Sequence, residues 1–229
     1  MAKRHLNNKV LIFGDTHAPY EHKECLHFLH NLNVEHKPDR VIMNGDLTDS
    51  YWFSQYMKDI AAESFGSELR GLREFTSMLH DVFPNLIITD SNHDARLWRK
   101  AKAAGIPREF LIPYMKMIGA EKYKGWKLVD DFRFTVDADR SKWQVSHWKT
   151  GTSLGTSQKL GRSIVLSHHH SRQGIGRWSP EPGKTLWGVD TGCLIDAKSY
   201  AFNYAKANAL AQVYGAVLIE EGVPRILPL

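Results

Sequence analysis

Cysteine is scarce in this chain, with only Cys25 and Cys193 among 229 residues. Neither sits in a Cys-x-x-Cys or Cys-x-x-His pair, so a zinc ribbon, a thioredoxin-type centre and a disulfide scaffold are all unsupported. Reduced, buried thiols in a cytosolic protein are the expectation. Long apolar runs are missing as well. The opening MAKRHLNNKVLIFGD is basic, but only Val10–Phe13 is apolar before Gly14. That is too short for the apolar region of a secretory signal, and no stretch approaches the ~20 residues of a membrane span. Repeats, low-complexity tracts and linkers are absent too. The expectation is one domain over residues 1–229, without membrane contact and in the cytoplasm.

The composition that is present, 42% hydrophobic and 24% charged, is that of a chain able to bury a large core. The formal charge of +5 leans toward a phosphorylated or polyanionic partner and makes nucleic acid plausible. Oligomeric state leaves no mark on the sequence.

Val10–Phe13 is a short apolar run closed by a Gly-Asp turn and reads as a buried strand. Apolar groups at Cys25, Phe28, Leu29 and Leu32 give residues 21–36 a helical spacing. Val41–Met43 is a second strand, closed by Gly45-Asp46. Residues 67–82 carry Leu69, Leu72, Phe75, Met78 and Leu79 on one helical stripe, and Leu86–Thr89 is a third strand. This β-α-β-α-β order predicts an α/β core with a partly parallel sheet, whose functional loops lie at the carboxyl ends of strands. Residues 95–125 read as two short helices broken by Pro107. Strands follow at Trp126–Val129, Phe132–Val136, Trp143–Val145, Ile164–Leu166, Val213–Ile219 and Val223–Leu227. Pro180, Pro182 and two glycines mark residues 179–188 as a surface loop.

Five strand ends carry polar donors in chain order: GDTH (Asp15, His17), GDLTD (Asp46, Asp49), SNHD (Asn92, His93, Asp94), SH (His147) and SHHHS (His168, His169, His170). Each alone is ordinary turn chemistry. Together they form a set of carboxylate, imidazole and amide donors suited to a pair of borderline divalent metals, with no thiolate to suggest a structural zinc site. Alternation beyond Ile164–Leu166 puts His168 and His170 on one side and His169 on the other. His169 is then a bystander.

In this order the motifs resemble those of the calcineurin-like metallophosphoesterase superfamily, from about residue 10 to 171. The compact length and the NHDAR extension are similar to its small phage and bacterial members. The resemblance implies a four-layer α/β/β/α sandwich of two mixed sheets with a dimetal site at the strand ends. It implies that Asp15, His17 and His170 bind one metal, Asn92, His147 and His168 the other, and that Asp46 bridges them. It also implies attack on phosphorus by a hydroxide bridging the metals, with His93 protonating the leaving oxygen, Asp94 orienting His93, and Asp49 fixing a ligand or loop from behind. Manganese is favoured, with iron, zinc, nickel and cobalt open.

Three positions depart from the family pattern. Ser91 and Ser167 stand where glycine is usual, and Trp148 replaces the glycine after the fourth-motif histidine; it either covers the cleft or stacks on substrate. Arg96 follows His93-Asp94 directly and is expected to reach a substrate phosphate. Basic residues with interleaved aromatics surround the motifs, in three groups: Arg96, Arg99, Lys100, Lys102 and Arg108; Lys142, Trp143, Trp148 and Lys149; and Arg172, Arg177 and Trp178. They suit nucleic acid, or else the first group is a solvated helix face and the tryptophans are core. The activity expected is that of a phosphodiesterase on nucleic acid or nucleotides, which would make the protein a nuclease. The alternatives are a phosphomonoesterase or Ser/Thr protein phosphatase on the same core, and a non-catalytic phosphoesterase-like scaffold.

Overall fold

A computed structural model describes residues 8–55, 60, 62, 64–147, 151–199 and 211–229. Its first half runs β1 (Lys9–Phe13), α1 (Cys25–His36), β2 (Arg40–Met43), α2 (Phe65–Val82), β3 (Leu86–Thr89), α3 (Arg96–Ala103), α4 (Tyr114–Met117) and β4 (Trp126–Val129). The second half runs β5 (Phe132–Thr135), β6 (Lys142–Ser146), α5 (Ser153–Leu160), β7 (Ser163–Leu166), β8 (Gln173–Glu181), β9 (Lys184–Thr191), β10 (Gly215–Glu220) and β11 (Val223–Pro228). One sheet has the order β11-β10-β1-β2-β3-β4, with β1 to β4 parallel and β10 antiparallel to β1. The other has the order β5-β6-β7-β9-β8, with β6, β7 and β9 parallel between antiparallel edge strands.

Strand alternation builds two cores. On β1, Leu11 and Phe13 pack with Leu29, Leu72, Phe75 and Leu79 of α1 and α2. Val10 and Ile12 point the other way and meet Trp143, Val145, Val165 and Val189 of the second sheet, as a period of two requires. Helix α5 packs on the second sheet against β7 and β9. The result is the expected four-layer α/β/β/α sandwich of two mixed sheets. Helix α2 begins where the Ser64 side chain accepts the Ser67 N–H at 3.2 Å. Helix α5 begins at Thr152 in the same way and ends on Gly161 in the left-handed region, the usual cap residues at each end. No helix among the described residues is long and apolar enough to cross a membrane.

One expected loop is instead a hairpin. Residues 179–188 fall largely within β8 and β9, which pair antiparallel around Pro182-Gly183. The residues that suggested a loop have other roles. Pro180 is tolerated because β8 is an edge strand. Gly188 lets α5 approach, since a Cβ there would lie 2.4 Å from Leu154 Cα.

Candidate metal centre

The parallel strands β1, β2 and β3 of one sheet and β6 and β7 of the other bring their carboxyl ends to one place. Asn44, just past β2, ties the sheets together there. Its side-chain amide donates to the Ser146 carbonyl at 3.2 Å and its Oδ1 accepts from Thr89 Oγ1 at 2.9 Å. Its own carbonyl accepts from His147 Nδ1 at 2.8 Å. That bond leaves His147 Nε2 facing Asn92 Oδ1 at 3.0 Å and Asp46 Oδ2 at 3.2 Å. Asn44 carries no motif signal beyond preceding Gly45-Asp46, and the sequence alone did not single it out.

The carboxylates are held by one oxygen and offer the other. Asp15 Oδ2 accepts the His168 N–H at 3.0 Å, while Oδ1 faces His170 Nε2 at 3.0 Å and His17 Nε2 at 3.8 Å. Asp46 Oδ1 accepts the His93 N–H at 3.1 Å. Its Oδ2 is buried without a hydrogen-bond donor, although His147, His17 and His93 Nε2 lie 3.2, 3.5 and 3.9 Å away. A buried carboxylate oxygen ringed by imidazole nitrogens is the donor arrangement a cation requires. Among the described residues, Asp15, His17, Asp46 and His170 form one group able to hold an ion; Asp46, His147 and His168 form a second, with Asn92 beside it; and His17, Asp49 and His93 form a third, which does not include Asp46. Asp46 belongs to the first two.

Backbone strain concentrates here. Asp15, His17, Asp46 and His168 have φ of 54°, 51°, 49° and 74°, left-handed conformations that cost about 1–3 kcal/mol each for residues with a side chain. They turn four donors inward from the ends of β1, β2 and β7. Gly45 has φ +73°, and a Cβ on it would lie 2.5 Å from the His147 ring. Gly45→Ala is therefore expected to displace His147 and weaken divalent-ion binding by about 10–100-fold, the cost of disturbing a ligand's support; calorimetric titration with Mn²⁺ checks it.

Asp49 buttresses the cluster. Its Oδ1 lies 2.8 Å from His17 Nδ1 and 3.1 Å from His93 Nδ1, and its carbonyl lies 3.0 Å from the same His93 nitrogen. Both groups facing His93 Nδ1 are acceptors, so that nitrogen carries a proton. This corrects the expectation for Asp94, which does not orient His93. The Asp94 carboxylate accepts from Thr48 N–H at 3.0 Å, Ser91 Oγ at 2.7 Å and Tyr114 OH at 2.8 Å. Residues 91–96 form a tight turn, with Ala95 N–H on the Ser91 carbonyl and Arg96 N–H on the His93 carbonyl. Adjacent side chains on such a turn diverge. Ser91 thus has a use that glycine lacks, and Ser167 bonds Thr191 at 2.8 Å.

Charge follows this geometry. Burial alone would raise Asp15, Asp46 and Asp49, but the neighbouring imidazoles hold all three below the usual carboxylate range. Burial would lower His17 and His147, yet the surrounding carboxylates outweigh it and raise them to about 10 and about 9. His168 is lowered to about 4, mainly by burial and then by the charge of His147, and burial lowers His170 too. Burial and then the charge of Asp46 push Asp94 up to about 6. Glu68, which no motif marked, rises to about 7 through burial and accepts the Tyr51 N–H at 2.9 Å beneath the loop that carries Asp49.

Arg96 reaches the centre. Its guanidinium donates to the Asp49 carbonyl at 2.8 Å and to His93 Nε2 at 2.8 Å. His169 belongs to none of the ion-holding groups; its ring stands edge-on to that of His168, with centroids 5.2 Å apart. Trp148 lies outside the described residues. A cleft of about 450 Å³ opens beside the centre, lined by Phe53, Gln55, Asn92, His93, His168 and the cations of α3.

Comparison with known proteins agrees with this geometry. A model of the calcineurin-like phosphoesterases matches residues 8–219. The Gene 54 protein of Mycobacterium phage D29 is 24% identical, over 84% of this chain and 82% of that protein. The Gene 54 protein of Mycobacterium phage L5 is 22% identical, over 96% and 94%. Among solved structures, an archaeal phosphodiesterase shares the fold with a TM-score of 0.50 at 14% identity, covering 96% of this chain and 99% of that one.

Proposed function

This chain belongs to the calcineurin-like phosphoesterase family, and from that premise we propose that it is a dinuclear metal-dependent phosphodiesterase acting on nucleic acid or nucleotides. The observation that carries the reading is Asp46 Oδ2, buried, without a donor, and common to two ion-holding groups. Asp15, His17 and His170 would hold one ion, Asn92, His147 and His168 the other, and Asp46 both. Mn²⁺ is the ion proposed; the mixed imidazole, carboxylate and amide donors suit iron, zinc, nickel and cobalt as well. The phage relatives favour action in a host cytoplasm, by one domain covering the chain.

Two divalent ions so held would supply an acidified water and neutralise phosphate charge. The protein's own groups do the rest. Asp49 holds the His93 proton at Nδ1, so Nε2 is the atom that exchanges a proton with the leaving oxygen. Arg96 occupies Nε2 in this structure. A substrate phosphate would draw that guanidinium to itself and free Nε2 to take up a proton from solvent and pass it to the leaving oxygen, while Nδ1 keeps its own.

Metal uptake has a proton signature. Near pH 7 the metal-free His17 and His147 are protonated, because their values lie above that pH, whereas His168 and His170 are neutral. Ligation requires neutral imidazole, so binding should release about two protons per chain, and apparent affinity should rise between about pH 7 and 9. An indicator titration in weak buffer reads this, and uptake without proton release would contradict it.

The activity is tested by comparing bis(p-nitrophenyl) phosphate with p-nitrophenyl phosphate in Mn²⁺. A higher kcat/KM on the diester is expected. A strong monoester preference would overturn the diester reading, and failure to hydrolyse either with metal bound would point to the scaffold reading.

A further inference from the structure

The cleft beside the centre has a one-sided charge. Its described lining is Phe53, Ser54, Gln55, Asn92, His93, Arg96, Arg99, Lys100 and His168, with no carboxylate. Arg96, Arg99 and Lys100 stand at spacings of three and four on α3, so they share one face along about one turn, roughly 5.4 Å. Arg96 lies against His93, whereas Arg99 and Lys100 are exposed and farther along. Arg99 is not loose: its guanidinium donates to the backbone carbonyl of Asn92, within the centre itself. The Phe53 ring lines the same cleft, is partly exposed and is set edge-on against Phe65, with centroids 4.9 Å apart and planes at 73°.

Direction follows from His93. It lines this cleft and is the group assigned to the leaving oxygen, so the cleft receives the departing part of the substrate. A simple leaving alcohol would need no cations there. Two cations one helical turn beyond Arg96, with an aromatic ring in the same lining, match a departing nucleotide whose own phosphate continues the chain. A volume of about 450 Å³ is of the size that accommodates one extruded nucleotide.

We propose that Arg99, Lys100 and Phe53 form a leaving-side subsite for single-stranded nucleic acid, binding the phosphate and base that follow the scissile bond. The proposal rests on the phosphodiesterase reading. Arg99 and Lys100 take the next phosphate, and Phe53 stacks on the base.

The test compares thymidylyl-thymidine, which has no further phosphate, with a thymidine oligonucleotide of about eight residues. The wild type should favour the oligonucleotide by at least about tenfold in kcat/KM, and the R99Q/K100Q double variant should remove most of that preference. Binding of a fluorescent oligonucleotide in EDTA is followed in parallel by anisotropy. It should weaken at least about tenfold in the double variant, with a log–log salt slope shallower by about one to two. Phe53→Ala should weaken binding by about tenfold without changing that slope. Absence of a length preference, or equal loss on both substrates, overturns the proposal. If no phosphodiester is hydrolysed, the functional reading has failed. The anisotropy result then decides the subsite alone: charge-dependent binding lost in the double variant supports it, and unchanged or absent binding overturns it.

Discussion

Asp46→Asn is expected to lower kcat on bis(p-nitrophenyl) phosphate by about 10³-fold or more, because it disturbs at once the two ion-holding groups that share Asp46. Asparagine keeps the shape and can still accept the His93 N–H from its carbonyl oxygen, as Asp46 Oδ1 does at 3.1 Å. What changes is the other atom, an amide nitrogen placed where Oδ2 faces three imidazoles between 3.2 and 3.9 Å away. An N–H₂ group there cannot bind a cation, and the negative charge that raises His17 and His147 disappears. Folding should survive, since Asp46 is a strained residue whose left-handed backbone asparagine tolerates well. Circular dichroism and the melting temperature separate misfolding from lost chemistry. Retention of more than a tenth of wild-type kcat in a folded variant would contradict the bridging role.

His93→Ala is the second large effect, and its pattern matters more than its size. Neither of the two groups that share Asp46 includes His93, so metal content should stay at the wild-type level while kcat falls by about 10²–10⁴-fold on a dinucleotide. p-Nitrophenolate departs without needing a proton, whereas a sugar alkoxide does not. The loss on bis(p-nitrophenyl) phosphate should therefore be at least about tenfold smaller than on thymidylyl-thymidine. Equal losses on both would mean that His93 acts through substrate binding, and lost metal would mean that it acts through the centre. Asp49→Asn should show a weaker form of the same pattern together with weaker metal binding. Asp49 supports both His93 and His17, whereas Asp94 is engaged with Thr48, Ser91 and Tyr114.

The strand ends were readable because each apolar run stops at Gly-Asp, Ser-Asn-His or Ser-His, and a strand buried on both faces has few other ways to look. Leu86–Thr89 and Trp126–Val129 match the structure to the residue. The β8–β9 hairpin was hidden because its glycine and proline serve helix packing and an exposed edge, so local composition argued for a loop. Donor identity could be read from residue type and order, but support could not. Asp94 adjoins His93 in sequence and points away from it, while Asp49 reaches it from another strand end. Asn44 and Glu68 act through a backbone carbonyl and a backbone N–H that no side-chain pattern reveals.

The central claim is a pair of ions sharing Asp46, and metal stoichiometry tests it most directly. Metal-depleted protein titrated with Mn²⁺, with bound metal and hydrolysis of bis(p-nitrophenyl) phosphate followed together, should take up two ions per chain. Activity should appear with the second ion, and Asp46→Asn should reduce uptake to one or none. Full hydrolysis by metal-free protein, or two ions bound unchanged in the Asp46→Asn variant, would contradict the account.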